Sequence, residues 1–140
     1  MSMGHYILDP KHRPVEVDDL MTWARWFADD GNRRVAEDYT GFYRLSSVFL
    51  GIDQNFGWKG PPLLFETMVF LREAEIKKIF GRYRPVNEEA FELGDTQWRY
   101  SSWDDCYTQH QTILRRLQKL ESDALMKNIS RLKKIAEPKT

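Results

Sequence analysis

Asp53 and Glu66 are the carboxylates whose setting invites chemistry. Asp53 opens the turn-rich loop 53–62, and Glu66 is the one charge in the apolar run 63–71. Two acidic side chains around one hairpin, with the amide of Asn55 beside them, could bind a cation or share acid–base work. The competing assignment makes Glu66 half of an ion pair. A carboxylate in an apolar strand is costly unless a cation meets it across the sheet, and Arg99 is the natural partner. The remaining reactive side chains are scattered. Cys106 and His110 stand one helical turn apart, whereas His5 and His12 lie far away in sequence, so the ligands a zinc ion needs are not gathered. Asp104 and Asp105 precede Cys106 and would raise its pKa, which reads as an inert thiol. No GxxxxGK[ST] or GxGxxG string is present. The residues therefore assign no catalytic group, no metal site and no cofactor.

Partner binding has better candidates. Phe56 and Trp58 are large apolar side chains in a loop otherwise built of turn formers, with two Gly and a Pro pair. Aromatics on an anchored loop make good binding anchors, so Asp53, Asn55, Phe56 and Trp58 form the expected partner-binding set. The alternative is that the two rings fold back as a cap on the core. Arg82-Tyr83-Arg84 and Trp98-Arg99-Tyr100 interleave bases with aromatics, as single-strand nucleic-acid binders do. A formal net charge of zero supplies no positive field for phosphate, and nucleic acid is not an expected partner.

The elements that position these residues follow from spacing. His5 to Asp9 reads as a short strand closed by Pro10. Leu20, Trp23, Ala24 and Phe27 recur at helical spacing, with Asp18 as the expected cap and Gly31 as the stop. Trp23 and Phe27 are the expected core anchors, and Trp26 a partly covered neighbour. Arg33–Tyr39 and Phe42–Ile52 read as strands joined at Thr40-Gly41. Leu63–Leu71 reads as a central strand covered on both faces. Arg72–Phe80 suits a short helix, 81–96 an inserted loop, and Gln97–Ser101 a strand. Ser102 and Asp105 resemble a capping box ahead of a helix from Trp103 to Leu120. At Ser122-Asp123 the apolar phase shifts to Leu125, Ile129, Leu132 and Ala136, which predicts two helices or one bent helix. The class expected is α+β, an antiparallel sheet of about four strands packed by a Trp-rich helix, with a long or bent C-terminal helix.

With 140 residues, 41% hydrophobic and five of them Trp, the chain can bury one core without metal or disulfide. Residues 1–121 are the expected core domain, with 72–96 an inserted helix or loop and 122–140 a basic helical extension. Residues 1–110 hold 13 bases and 18 acids, whereas 111–140 hold 8 and 3. The leftover stripe Leu125, Ile129 and Leu132 is the expected oligomerisation surface, pairing antiparallel or docking on the acidic body of a second subunit. A single cysteine, no signal-type start and no apolar run near the roughly 18 residues of a membrane span give a cytoplasmic expectation.

Four strings also occur together elsewhere. LMTWARWF at 20–27, VFLGIDQNFG at 48–57, PPLLFETMVF at 61–70 and WRYSSW at 98–103 resemble, in this order, a family of short bacteriophage and prophage proteins of unknown function. The resemblance spans about residues 5–115. It departs at 72–96, where a short Gly-rich turn would be expected, and beyond residue 115. It carries no catalytic residue to this chain. The resemblance implies a phage-encoded protein in the host cytoplasm; the aromatic surface candidates and the lack of a catalytic set add, by elimination, the expectation of an accessory protein that binds a host or phage protein, with inhibition of a host or defence protein as one mode. A small ligand-binding domain or enzyme using Asp53 and Glu66, and an assembly protein working through its C-terminal helices, are the alternatives.

Overall fold

A computed structural model describes residues 4–55, 59–81 and 96–136, with side chains on the last helix followed to Lys127. The fold is α+β, with a two-stranded hairpin, a four-stranded antiparallel sheet and a long C-terminal helix.

The hairpin pairs β1 (His5–Leu8) with β2 (Pro14–Val17), a strand the spacing does not predict. Pro14 lacks an N–H and is tolerated as its first residue. At the tip, the Asp9 carboxylate accepts from Lys11 N and Arg13 N at 2.8 and 2.9 Å. Helix α1 (Leu20–Phe27) then packs on the hairpin. Its cap is Asp19 rather than Asp18, accepting from Met21 N at 3.0 Å and Thr22 Oγ1 at 2.7 Å. It ends at Ala28, three residues before Gly31, because Asp29 caps a one-turn helix α2 (Asp30–Arg33) and accepts from Gly31 N.

No residue of α1 is fully buried, so Trp23 and Phe27 are not the central anchors their spacing predicts. They stack on each other at 4.7 Å against Gly51, while Trp26 is the ring that reaches the core, edge-on to Phe49 at 5.6 Å. Gly51 has φ +75°, and a Cβ there would stand 2.8 Å from the Phe27 ring. Its carbonyl accepts from Tyr6 N at 2.8 Å, which ties the hairpin to the sheet.

The sheet runs in the order β3 (Arg34–Tyr39), β4 (Tyr43–Phe49), β5 (Phe65–Leu71), β6 (Gln97–Tyr100), all antiparallel. Tyr43, Leu45, Ser47 and Phe49 on β4, and Phe65, Thr67 and Val69 on β5, alternate with partly exposed neighbours. The β5 strand is therefore covered on one face, not two. The helix α3 (Glu73–Phe80) contributes buried Ile76 to the covered side.

One continuous helix, α4 (Trp103–Ala136), lies across all four strands on that side, with no break at Ser122-Asp123. Ser102 Oγ accepts from Asp105 N at 3.1 Å, as the capping pattern predicts. Trp103 stacks on His12 of the hairpin at 3.7 Å. Near the other end the Glu121 carboxylate lies against Gly41 in the β3–β4 turn, in the place a Cβ would take, so a larger residue there would push that side chain aside. The last buried residue described on α4 is Ala124, and Leu125 packs beside it. Among the described residues no helix is long and apolar enough to cross a membrane.

Candidate functional site

Two apolar clusters fill the covered side. One gathers Phe42, Tyr43, Leu45, Val69, Ile113 and Leu117, and the other Leu8, Phe49, Leu64, Phe65 and Cys106. Between them, at the middle of β4, β5 and α4, stands a polar layer of Ser47, Thr67 and His110, each fully buried. Ser47 and Thr67 are cross-strand partners with their hydroxyls 2.6 Å apart. His110 Nδ1 lies 2.7 Å from Ser47 Oγ, and Nε2 lies 2.7 Å from Oδ2 of Asp38 on the edge strand. Cys106, one turn before His110, brings its sulfur within 3.8 Å of Thr67 Oγ1.

Donor and acceptor roles follow from the acid end. An ionised Asp38 only accepts, so His110 Nε2 carries the hydrogen. With neutral imidazole, Nδ1 accepts from Ser47, Ser47 from Thr67, and Thr67 from the Cys106 thiol. Every hydroxyl then points one way along the chain. Burial pushes the Cys106 thiol up, against smaller opposing effects of its hydrogen bonds to Thr67 and Ser47. The Tyr100 hydroxyl is buried next to Thr67 but outside hydrogen-bond geometry, and burial pushes its pKa up as well.

Asp38, His110 and Ser47 repeat the order of an acyl-transfer triad, but not its function. A nucleophile must meet a substrate, and Ser47 is sealed between helix and sheet with no exposed surface. The layer instead pins α4 in one register over the strands, since any slip would leave buried hydroxyls without partners. Sequence reasoning noticed the Cys106–His110 spacing and missed Asp38, Ser47 and Thr67. Hydroxyl residues at inward positions of apolar strands were the available signal.

The opposite face of the sheet is different. Tyr39, Arg44 and Phe70 are register neighbours across β3, β4 and β5, and Tyr39 and Phe70 are 58% and 38% exposed. The Arg44 guanidinium sits 5.1 Å over the Phe70 ring, and that of Arg72 lies 5.3 Å over Tyr39. Glu37 accepts from Arg44 Nε and from the Tyr39 hydroxyl, both at 2.9 Å. The Arg44 bond, then the Tyr39 bond, hold the Glu37 carboxyl below the usual range. Charges here are paired, and the side chains are fixed without being covered.

The expected site residues fall elsewhere. Asp53 Oδ1 accepts from Asn55 N and Leu63 N, each at 2.8 Å, so it closes its own loop. The Asn55 amide reaches Lys59 O at 3.4 Å. Phe56 and Trp58 lie outside the described residues. Glu66 is half-buried on the uncovered face; Arg99 is its register partner, yet the side chain that bonds it is Gln97. No group of three acidic, His or Cys side chains suited to a metal occurs among the described residues. Leu125 borders the core, and the side chains of Ile129 and Leu132 lie outside those described. No protein-family model matches this chain, and neither a curated protein nor a solved structure matches it significantly.

Proposed function

We propose that this chain is a phage-encoded accessory protein that acts in the host cytoplasm by binding a host or phage protein, inhibiting it by occupying its surface. The observation that carries the reading is the Tyr39–Arg44–Phe70 row on the uncovered sheet face. Tyr and Arg are the side chains most often found at the energetic centre of protein interfaces. Here they stand on a rigid sheet and are held by Glu37 and Arg72, so little freedom is lost on binding. The phage origin rests on the four sequence strings.

Affinity capture from infected-cell lysate, read by mass spectrometry, tests the proposal. Tyr39→Ser with Phe70→Ser should keep the melting temperature and lose a partner that the unaltered chain retains. Equal capture by both overturns the sheet-face assignment. Loss of capture instead with Phe56→Ser and Trp58→Ser returns the site to the 53–62 loop.

A further inference from the structure

We infer that the partner adds an extended segment to the free edge of β3 as a further antiparallel strand, selected by a basic side chain opposite Asp38. The inference rests on the sheet-face reading above, because Tyr39 belongs both to that face and to this edge.

The sheet ends at β3, which pairs with β4 alone. Hydrogen bonding alternates along an antiparallel pair, and the Thr40 N–H donates to Tyr43 O at 2.8 Å. Asp38 and Ala36, in register with Leu45 and Ser47, therefore also turn their backbone groups toward β4. Glu37 and Tyr39 turn theirs the other way. Among the described residues nothing bonds those outward N–H and C=O groups. An extended segment is the occupant that meets such a row, because it offers a donor and an acceptor at every second residue. The Glu37 carboxylate does not obstruct it, being drawn back over β4 by Arg44.

Charge decides which strand can enter. Asp38 lies on the helix-covered side, in register with buried Leu45, and its carboxylate is tied to His110 while 40% of the side chain stays exposed. A charge so placed on an edge strand works against any added strand that brings no counter-charge. A second copy brings none. Two β3 edges can bond only through Glu37 and Tyr39, since the register breaks between Arg34 and Ala36. A two-fold register centred on Glu37 or on Asp38 sets like carboxylates directly opposite, which is destabilising. One centred on Tyr39 runs past the strand into the Thr40-Gly41 turn.

A foreign strand with Lys or Arg opposite Asp38 meets no such cost. Because Glu37 and Tyr39 hold the hydrogen-bonded places, Asp38 and its opposite number form a non-hydrogen-bonded pair, the kind whose side chains come closest. The residues on either side of the base fall opposite Glu37 and Tyr39. β-Branched side chains suit those places, since they pack well against an aromatic ring across strands. The ladder supplies the attachment, and Asp38 the discrimination.

Amide hydrogen exchange in the isotope-labelled full-length chain, titrated with the peptide acetyl-Thr-Val-Lys-Val-Thr-amide, tests the edge. In the free chain the amides of Glu37 and Tyr39 should exchange faster than those of Ala36 and Asp38. At about ten times its Kd the peptide should slow Glu37 and Tyr39 about tenfold, because only the unbound fraction exchanges. A peptide with Glu in place of Lys, or with both Val amides N-methylated, should leave them fast. N-methylation of the Lys amide, which points away from β3, should change nothing. Equal protection of all four amides in the free chain overturns the inference, as does no slowing at millimolar peptide. Equal slowing by the Glu or the Val-methylated peptide overturns it too. This readout uses a defined peptide and the unaltered chain, so the edge can fail while the Tyr39 and Phe70 capture test succeeds, and the reverse.

Discussion

The two faces of one four-stranded sheet are built from the same strands and do opposite things. Toward α4, apolar side chains are sealed and Ser47, Thr67 and His110 bond in one chain between them, so that face specifies one arrangement. Away from α4, Tyr39, Arg44 and Phe70 are fixed but not sealed, so that face can still meet something else. Alternation along a strand separates the residues that fold a small protein from those free to work. The contrast can be attacked at several points, from the most destructive to the mildest.

Phe65 and Phe70 differ by five residues on β5 and should differ most in consequence. Phe65 is fully buried and packs on Phe49 and Trp103, so Phe65→Ala should cost about 3–5 kcal/mol. Phe70→Ala should cost less than about 1 kcal/mol. Urea titration reads both, and similar losses would erase the distinction between the faces.

His110→Ala comes next, at about 2–4 kcal/mol, combining a cavity with buried hydroxyls left short of a partner. Pairing His110→Leu with Ser47→Ala should cost less than the two single changes added together, since both ends of the bond then disappear. Strict additivity in that double-mutant cycle would mean that the polar layer does not act as a unit.

The smallest effect belongs to Glu37 on the uncovered face. Its folded pKa is lowered by Arg44 and Tyr39, so its contribution is present above the unfolded carboxylate value and disappears as pH falls through the folded one. Glu37→Gln should flatten the stability profile below about pH 4.5, by no more than about 1 kcal/mol because the pair is solvent-screened. An unchanged acid limb would remove the claim that this ion pair orders the binding row.

Much of the secondary structure was legible because it is local. The Thr40-Gly41 turn, the start of β4 and the Ser102 cap each rest on a few adjacent residues, whereas the expected strand end at Ile52 overran the observed one at Phe49. Layering was harder to read. Apart from Glu66 the run 63–71 reads as a strand covered on both faces, yet Phe70 and Met68 lie on the uncovered face, where the Arg44 guanidinium sits over the Phe70 ring. The phase of α1 misled because Trp23 and Phe27 pack on a glycine and a hairpin rather than on the sheet. The candidate site was least legible. Ser47 and His110 are 63 residues apart, and Asp38 and His110 72, so only the folded chain brings them together. Asp53 looked like chemistry because a turn-forming aspartate and a functional one have the same sequence signature.

The place of α4 after every strand it covers has a consequence for how the protein is born. All four strands have been synthesised by Tyr100, yet most of what dries their covered face lies between Trp103 and Ala124. During translation Tyr43, Leu45, Phe49 and Phe65 must wait in water for a helix that does not yet exist. Contacts of such long sequence separation form slowly, and a waiting apolar sheet is open to other chains. Productive folding is thus deferred until α4 emerges, and messages cut short before that point encode a sticky fragment.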